Sequence, residues 1–254
     1  MLFKKLSIVI PLYNEENTIN ECLRRVLAAP AYDLKKEIIV IDDGSDDSSF
    51  ENLVEFVKKK FNKSKIIDKS ATLTKTISLM VLQNKTNLGK GASLKLGFSR
   101  STGDLVVIQD ADLEYNPAEY RQLLEPFLQN QADVVYGSRF ISHRPHRVLY
   151  FWHYLANVFL TTLSNCCTNL NLSDMETGYK AFRGDLIRSI APRLQSMKFG
   201  FEPEITARIA KIAKVKIYEV GISYSGRTYE EGKKIGWLDG LRTLGEIIYF
   251  SLFS

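Results

Sequence analysis

The sequence predicts an α/β protein built on one doubly wound, mostly parallel sheet with helices on both faces. Three observations support this fold class. Short apolar segments alternate with amphipathic segments over the first 140 residues. The apolar segments are continuous, which is typical of parallel strands that are covered on both faces. A chain of 254 residues with 45% hydrophobic residues is also long enough to bury a sizeable core.

The elements of the first 140 residues can be assigned in chain order. The predicted strands cover residues 6–10, 37–41, 77–82, 104–108 and 132–136. The predicted helices cover residues 17–29, 50–60, 91–100 and 117–129. The last of these has a clear start signal, with Asn116 as N-cap and Pro117 in the first turn. Strands that alternate with helices in this way predict a Rossmann-like sheet.

Beyond residue 140 the alternation is less regular. We predict a helix over residues 202–213, a strand over residues 216–220 and a final amphipathic helix over residues 237–253. Trp237, Leu241, Leu244 and Ile248 fall on one face of that last helix. The connection at residues 62–76 is long enough to contain an additional hairpin. One continuous domain is expected.

Polar motifs follow five of the predicted strands. In chain order they are "PLYNEE", "DDGSDD", "QNKTNLGKG", "DADLE" and "GSR". In an open parallel sheet the carboxyl ends of the strands share one edge, and ligands bind at that edge near the reversal of strand order. The five motifs are therefore expected to converge on one binding site.

Two common occupants of such a site are excluded by spacing. A dinucleotide fold needs G-x-G-x-x-G after its first strand, and "PLYNEE" contains no glycine. A P-loop needs a glycine five residues before its Gly-Lys pair, but Asn84 stands at that position relative to Gly89 and Lys90. Gly91 also replaces the Ser or Thr that should follow the lysine.

The remaining site residues are mostly acidic. They are Glu15, Asp42, Asp43, Asp110, Asp112 and Glu114. One or two carboxylates together with ligand phosphates are a typical site for a hard divalent cation. On an extended segment Asp110 and Asp112 point to the same side, so one can hold a metal while the other accepts from a ribose hydroxyl. Basic residues that can hold the same phosphates are Arg139, Arg227, Lys233 and Lys234.

The motifs resemble those of a known family. "IVIPLYNEE", "IVIDDGSDDS", "NLGKGASLKLGF", "STGDLVVIQDADLEYNP", "VVYGSRF" and "DMETGYKAFR" are similar, in order and spacing, to motifs of family-2 inverting glycosyltransferases. Within that family the chain most resembles the branch of dolichol-phosphate mannose synthases and polyprenyl-phosphate glycosyltransferases. The resemblance covers roughly residues 6–240 and implies a glycosyltransferase A-type fold, a nucleotide-sugar donor, Mg²⁺ or Mn²⁺, and a polyprenyl-phosphate acceptor.

The resemblance also implies a division of labour within one continuous catalytic domain. Residues 1–140 correspond to the half that binds the nucleotide sugar, and residues 141–254 to the acceptor-side half with packing or membrane-proximal helices. The implied donor-binding residues are Pro11, Tyr13, Glu15, Asp42, Asp43, Lys90, Asp110, Ala111 and Arg139. Of these, Asp42 and Asp43 correspond to the pair that reads the base, Asp110 to the ribose contact and Arg139 to a phosphate contact.

The remaining implied roles concern the metal, the acceptor and catalysis. Asp112 corresponds to a metal ligand with a catalytic role. Glu114 stands where mannose synthases usually carry a glutamine as a further metal ligand. Asp174 corresponds to a catalytic acidic position near the sugar and the acceptor. Arg227 and Lys234 are similar to basic residues of a late loop that closes over the donor and acceptor phosphates.

The chemistry of the acceptor decides whether a base is needed. A phosphomonoester is largely a dianion at pH 7 and is already nucleophilic, whereas a sugar hydroxyl needs a positioned carboxylate. Asp174 would orient groups in the first case and take a proton in the second. Three readings therefore stay open: transfer of a hexose from a GDP-mannose or UDP-glucose type donor to a polyprenyl phosphate, transfer to a saccharide or protein hydroxyl, and a non-catalytic nucleotide-sugar-binding subunit.

Charge and cysteine content bear on compartment and partners. The net charge of +5 is too small to indicate nucleic-acid binding, and no nucleic acid is expected as a partner. The spacing of Cys22, Cys166 and Cys167 matches neither a disulfide framework nor a zinc site, so we expect a reduced cytoplasmic compartment. No signal peptide or spanning segment is expected. Contact with the cytoplasmic membrane face would involve the basic residues 139–147, the aromatic residues 148–163 or the final helix.

Overall fold

A computed structural model of the protein describes residues 3–62, 71–129, 131–141, 146–148, 150–228, 230–231 and 237–253. The strands are β1 (Lys5–Leu12), β2 (Lys35–Asp42), β3 (Ala71–Thr74), β4 (Ile77–Gln83), β5 (Leu105–Ile108), β6 (Val134–Ser138), β7 (Lys180–Arg183) and β8 (Ile217–Gly221). The helices are α1 (Ile19–Ala28), α2 (Ser49–Phe61), α3 (Lys90–Arg100), α4 (Tyr120–Leu128), α5 (Phe151–Thr168), α6 (Gly184–Ile190), α7 (Phe201–Ala210) and α8 (Trp237–Phe253).

The strands of the described residues form one sheet in the order β3-β4-β2-β1-β5-β7-β6-β8. The pairs β1–β2, β1–β5, β2–β4 and β6–β8 are parallel. Only β3 and β7 run against the other strands, because β3 pairs antiparallel with β4 and β7 pairs antiparallel with both β5 and β6. The predicted mostly parallel α/β sheet is confirmed. The sheet includes strands from both predicted halves of the chain, and the division of labour between those halves remains a prediction.

Apolar side chains of the central strands are buried on both faces of the sheet. Ile8 of β1 and Ile38 of β2 pack in a core with α1, α2 and α4. Val9 and Ile39, their neighbours in sequence, pack in a second core with α3, α6 and α7. All four side chains are fully buried. Successive side chains of a strand point to opposite faces, so a sheet that is covered on both sides needs continuous apolar runs.

Several local features match the sequence, and three elements were not assigned from it. Asn116 caps the turn at Pro117–Glu119, where its Oδ1 accepts from the Ala118 amide at 3.1 Å. Strand β3, which lies within the connection at residues 62–76, pairs with β4, the strand that follows it. Residues 63–70 lie outside the described residues, so a hairpin contained within that connection stays a prediction. The sequence analysis did not assign strand β7 or helices α5 and α6.

Helices α5 and α8 are the two longest helices of the described residues after residue 140. Helix α5 has 18 residues, of which only Leu160, Thr161 and Ser164 are buried. Helix α8 occupies the predicted residues and buries Ile247 and Phe250, while Ile248, assigned to its apolar face, is half exposed. The side chains of Trp237 and Leu241 lie outside the described residues, so the amphipathic character of α8 remains a prediction.

None of the helices among the described residues combines the length and the apolar character that crossing a bilayer requires.

Candidate active site

A pocket of about 880 Å³ lies at the carboxyl ends of β1, β2, β4, β5 and β6. Residues that follow all five strands border it, as the parallel topology requires. The predicted site residues that border the pocket are Pro11, Tyr13, Glu15, Asp43, Lys90, Asp110, Ala111, Asp112, Glu114, Arg139 and Arg227. The expected convergence of the strand-end motifs is therefore seen, although the role of each residue remains a prediction.

Three other predicted site residues have different positions. Asp42 is fully buried at the end of β2, where its Oδ2 accepts from the Gln83 side chain at 3.1 Å, and it does not border the pocket. Asp174 is also fully buried and does not border the pocket. Lys234, like Lys233, lies outside the described residues.

Asp43 borders the pocket and also fixes the loop before α3. Its Oδ2 accepts from the Gly89 amide at 2.7 Å, and its Oδ1 accepts from the Asn84 side chain at 2.7 Å and from the Leu88 amide at 3.1 Å. Gly89 has φ +104°, a conformation that side chains rarely adopt. The geometry favours Asp43 over Asp42 as the member of the pair that meets a ligand.

Arg227 is the cation that meets the carboxylates at the end of β5. Its guanidinium donates to both oxygens of Glu15, at 2.9 and 3.0 Å. The same group lies 3.4 Å from Asp112 and 3.7 Å from Glu114. Arginine suits such a position because its planar group can serve several carboxylates at once. Arg227 thus joins the motif after β1 to the motif after β5.

Glu114 fastens the late segment 224–227 to the same loop. Its Oε2 accepts from the Tyr224 hydroxyl and its Oε1 accepts from the Arg227 amide, both at 2.8 Å. The carbonyl of Glu114 also accepts from the Ser225 amide at 3.0 Å. Sequence reasoning did not foresee this tethering role. The implied role of Glu114 as a metal ligand remains a prediction.

The charge balance near Asp112 remains negative. Burial, followed by the charges of Asp110 and Glu114, raises the pKa of Asp112 to about 8. Such a surplus of hard carboxylate oxygens fits a divalent cation such as Mg²⁺ or Mn²⁺, which protein sites often hold through one or two carboxylates plus phosphate oxygens. Within the part of the chain that the structure describes, no group of three or more His, Cys, Asp or Glu side chains is arranged to hold a metal by itself.

A second charged chain runs from Asp110 into the core. Lys90 Nζ lies 3.0 Å from Asp110 and 3.4 Å from Glu202, and Glu202 accepts from Lys180 Nζ at 2.7 Å. Burial disfavours the charge on Lys90, but the carboxylates of Asp110 and Glu202 outweigh this effect and raise its pKa. A Cβ at position 178 would lie 2.5 Å from an oxygen of Asp110, so a larger residue than Gly178 would displace that carboxylate.

Glu202 and Lys180 are site residues that sequence reasoning missed. Glu202 borders the pocket from the first turn of α7, where an acidic residue is an ordinary helix-start feature. Lys180 is fully buried, and its ammonium also donates to the carbonyls of Met175 and Thr177. No local signal distinguishes either residue, since both are defined by contacts between distant segments.

Asp174 holds Arg139 in place at the edge of the pocket. Arg139 donates to the two oxygens of Asp174 through Nε and Nη2, both at 2.6 Å, and its amide donates to the same carboxylate at 3.0 Å. Nη2 also reaches Asn157 at 3.2 Å, and the guanidinium lies 5.2 Å from the centre of the Tyr224 ring. Of the two roles considered for Asp174, this geometry favours orienting another group.

Glu176 is a further carboxylate that borders the pocket and that sequence reasoning did not select. It lies two residues after Asp174 in "DMETGYK". Burial, followed by the nearby charge of Glu202, raises its pKa to about 7. The motif itself was the available signal, although the sequence alone does not tell which of its two carboxylates faces a ligand.

The opposite side of the pocket is apolar. Trp152, Ala156, Phe159 and Leu160 of α5 and Leu244 of α8 border it. Trp152 is 73% exposed and Phe159 is 57% exposed, so this wall continues onto the outer surface of α5. The pocket therefore combines charged side chains from the strand-end motifs, α3 and α7 with apolar side chains from α5 and α8.

Comparison with curated proteins shows relatives that match most of this chain. The chain is 27% identical over 231 residues to the undecaprenyl-phosphate 4-deoxy-4-formamido-L-arabinose transferase of Photorhabdus laumondii, which covers 91% of this chain and 63% of the relative. It is 24% identical over 233 residues to the dolichol-phosphate mannosyltransferase of Pyrococcus furiosus. This match covers 91% of this chain and 60% of the relative. The chain thus spans less than two thirds of the length of these relatives.

Among solved structures, the fold is similar to glucosyl-3-phosphoglycerate synthase from Mycobacterium tuberculosis in complex with Mn²⁺, uridine diphosphate and phosphoglyceric acid. The TM-score is 0.69 at 17% identity, and the match covers 98% of this chain and 78% of the other. This likeness confirms the predicted glycosyltransferase A-type fold. The family model for glycosyl transferase family 2 matches residues 7–190, which is well over half of the chain. The protein therefore belongs to glycosyl transferase family 2, as its motifs predicted.

Proposed function

We propose that the protein is an inverting glycosyltransferase that moves a hexose from a nucleotide sugar to a polyprenyl phosphate. The observation that carries this proposal is the composition of the pocket, which joins an acidic, cation-lined side to an apolar wall continuous with exposed aromatic side chains. The names of the Photorhabdus and Pyrococcus relatives, which refer to undecaprenyl and dolichol phosphates, support a lipid phosphate as acceptor.

The charged side of the pocket suits the donor. Pro11, Tyr13 and Asp43 would border the nucleoside, and Asp110 would accept from the ribose. Asp112 and Glu114 would hold Mg²⁺ or Mn²⁺, which when bound supplies positive charge that offsets the charge of the departing nucleoside diphosphate. Both GDP-mannose and UDP-glucose types of donor fit these groups, because a carboxylate can accept from the imino group of guanine or of uracil.

The acceptor phosphate would attack without a general base. At pH 7 a phosphomonoester is largely a dianion, so its oxygen can displace the nucleoside diphosphate at the anomeric carbon with inversion. Two phosphate-bearing ligands repel each other, and nearby cations must offset that repulsion. Arg139 fits this role because Asp174 fixes its guanidinium at the edge of the pocket. Asp174 then acts through Arg139 and does not take up a proton.

Transfer of radiolabelled sugar to a short polyprenyl phosphate tests the proposal. GDP-mannose, UDP-glucose and UDP-N-acetylglucosamine are supplied separately with Mg²⁺, with EDTA, and with EDTA followed by excess Mg²⁺. We expect label in the lipid from one donor, at least a 100-fold loss with EDTA, and recovery with Mg²⁺, because metal charge stabilisation is worth several kcal/mol.

Two other results, one from this assay and one from calorimetry, would contradict the proposal in different ways. Donor hydrolysis without lipid labelling would place the acceptor among saccharide or protein hydroxyls. Donor binding by calorimetry without hydrolysis or transfer to any acceptor would indicate a non-catalytic binding subunit.

The proposal includes contact of α5 with a membrane surface, where the lipid acceptor resides. Phe151 and Leu155 lie one helical turn apart and are 64% and 43% exposed. Burial of two such side chains is worth about 2 kcal/mol, so the double variant Phe151→Ser/Leu155→Ser is expected to bind anionic vesicles about 30-fold more weakly in co-sedimentation. Tyr32→Ser, a change at an exposed aromatic residue between α1 and β2, is the matched control. Equal binding by the two variants and the wild-type protein would contradict contact through α5.

A further inference from the structure

The backbone on both sides of Glu176 is held rigidly. The amide of Met175 donates to Thr161 Oγ1 at 3.1 Å, and the amide of Gly178 donates to the Tyr115 hydroxyl at 2.9 Å. The carbonyls of Met175 and Thr177 both accept from the buried ammonium of Lys180. Glu176 is therefore presented to the pocket from a fixed segment, which is the arrangement that a ligand-binding side chain needs.

One oxygen of Glu176 lacks a protein partner. Its Oε1 is shielded from solvent and accepts no hydrogen bond from any residue that the structure describes. Buried polar atoms are almost always hydrogen-bonded. A buried atom without a partner has lost its hydrogen bonds to water and gained none in exchange. An acceptor of this kind at the wall of a ligand pocket is a candidate partner for a hydrogen-bond donor of the ligand.

The surrounding charges indicate what kind of donor this is. Neighbouring cations are engaged by other carboxylates: Arg139 by Asp174, Lys180 by Glu202, and Lys90 by Asp110 and Glu202. Since Glu176 shares the site with Glu202, an anionic phosphate beside it would be repelled. A neutral donor such as a sugar hydroxyl can donate to a carboxylate without adding negative charge.

We infer that Glu176 accepts a hydrogen bond from a hydroxyl group of the transferred sugar and so contributes to donor selection, an inference that rests on the proposed function. The contact is distinct from the roles assigned to Asp174, Asp112 and Glu114. A hydrogen bond to a charged acceptor changes binding by about 10- to 150-fold. Glu176→Gln keeps the size of the side chain but removes the charge.

The experiment measures donor hydrolysis by the wild-type protein, Glu176→Gln and Glu176→Ala, with the nucleotide sugar that the wild-type protein accepts. Hydrolysis is used because it does not depend on the acceptor. Both variants are expected to lose about 10- to 150-fold in kcat/KM. Analogues that each lack one sugar hydroxyl then identify the contact, because the wild-type protein and the variants should differ little for the analogue without the bonded group.

A pH profile separates this contact from a merely structural role. Burial and Glu202 raise the pKa of Glu176 to about 7, while Lys180 and Arg139 lower it and Asp174 adds to the rise. A protonated carboxyl is a weaker acceptor than a carboxylate, so wild-type KM for the donor should increase as the pH falls from about 8 to about 6. In Glu176→Gln the component of this dependence with a midpoint near pH 7 should disappear, whereas a component from Asp112, whose pKa is raised to about 8, should remain.

Thermal unfolding serves as the folding control. Because the pKa of Glu176 is raised in the folded protein, the wild-type protein loses stability as the pH rises through that value, and Glu176→Gln avoids this loss. The variant should therefore be at least as stable as the wild-type protein at about pH 8. Glu37→Gln is the matched control. Glu37 is a buried carboxylate that accepts hydrogen bonds from Lys5, Ser7 and Thr102. The Glu37→Gln protein should therefore be less stable than the wild-type protein, with no change in donor kinetics.

The possible failures are distinguishable. Unchanged kcat/KM in Glu176→Gln, with an active wild-type protein, would overturn the inference and leave the proposed function intact. Unchanged hydrolysis with reduced transfer to a hydroxyl-bearing acceptor would assign Glu176 to the acceptor and would also overturn it. Absence of hydrolysis and transfer in the wild-type protein would instead overturn the proposed function, and the inference would fall with it.

Discussion

Replacement of Asp112 by asparagine is expected to reduce sugar transfer by about 1000-fold or more while the protein remains folded. The carboxylate would be the principal metal ligand, and metal charge stabilisation is worth several kcal/mol in such reactions. Stability should not fall, because burial, followed by the charges of Asp110 and Glu114, raises the pKa of Asp112 to about 8, and asparagine removes the charge that these effects disfavour. Rates of lipid labelling at saturating Mg²⁺ and thermal unfolding measure the two effects.

The matched control for this variant is Asp33→Asn. Asp33 is an exposed aspartate in the connection between α1 and β2, outside the pocket. It should transfer sugar at the wild-type rate. If Asp112→Asn retained more than a tenth of wild-type transfer at saturating Mg²⁺, Asp112 would not be the principal metal ligand.

The largest expected effect on stability comes from Arg139→Met. Asp174 is completely buried, and its partner is Arg139 at 2.6 Å. Removing one member of a buried ion pair leaves an uncompensated charge and costs about 3–5 kcal/mol. For a chain of this size the melting temperature should fall by about 6–20 °C, which calorimetry or circular dichroism can measure.

Two further variants make this expectation specific. Arg24→Met removes an exposed ion pair with Glu21 and should change stability by about 1 kcal/mol or less. The double variant Arg139→Met/Asp174→Asn removes both charges and should recover part of the lost stability, because no unpaired carboxylate remains. A melting temperature for Arg139→Met equal to that of Arg24→Met would show that the buried pair does not act as described.

The fold was largely predictable where local sequence determines structure. Strands β1, β2 and β4 each contain a run of at least three apolar residues, and the sequence located each of them within two residues of its observed bounds. Strand β7 has only four residues, and one of them is Lys180. The burial of the Lys180 side chain depends on Glu202, which lies 22 residues later in the chain. The local sequence pattern therefore could not indicate strand β7.

The site was predictable at the level of motifs but not of single contacts. Parallel topology brings the strand-end motifs together, which is why most of the selected residues border one pocket. The choice between Asp42 and Asp43, or between Asp174 and Glu176, depends on packing that the motifs do not encode. Arg227 was selected from the sequence as a phosphate-binding residue. Its contact with Glu15 was not predicted, because the two residues lie 212 positions apart in the chain.

The contact between Arg227 and the acid cluster also has a consequence for biosynthesis. The chain is made from its amino terminus, so Glu15, Asp112 and Glu114 leave the ribosome well before Arg227 does. Until the late segment is made, the three carboxylates lack this counter-charge, and their mutual repulsion opposes the final packing of the strand-end loops. The mouth of the pocket is therefore completed late, after the central strands have been synthesised.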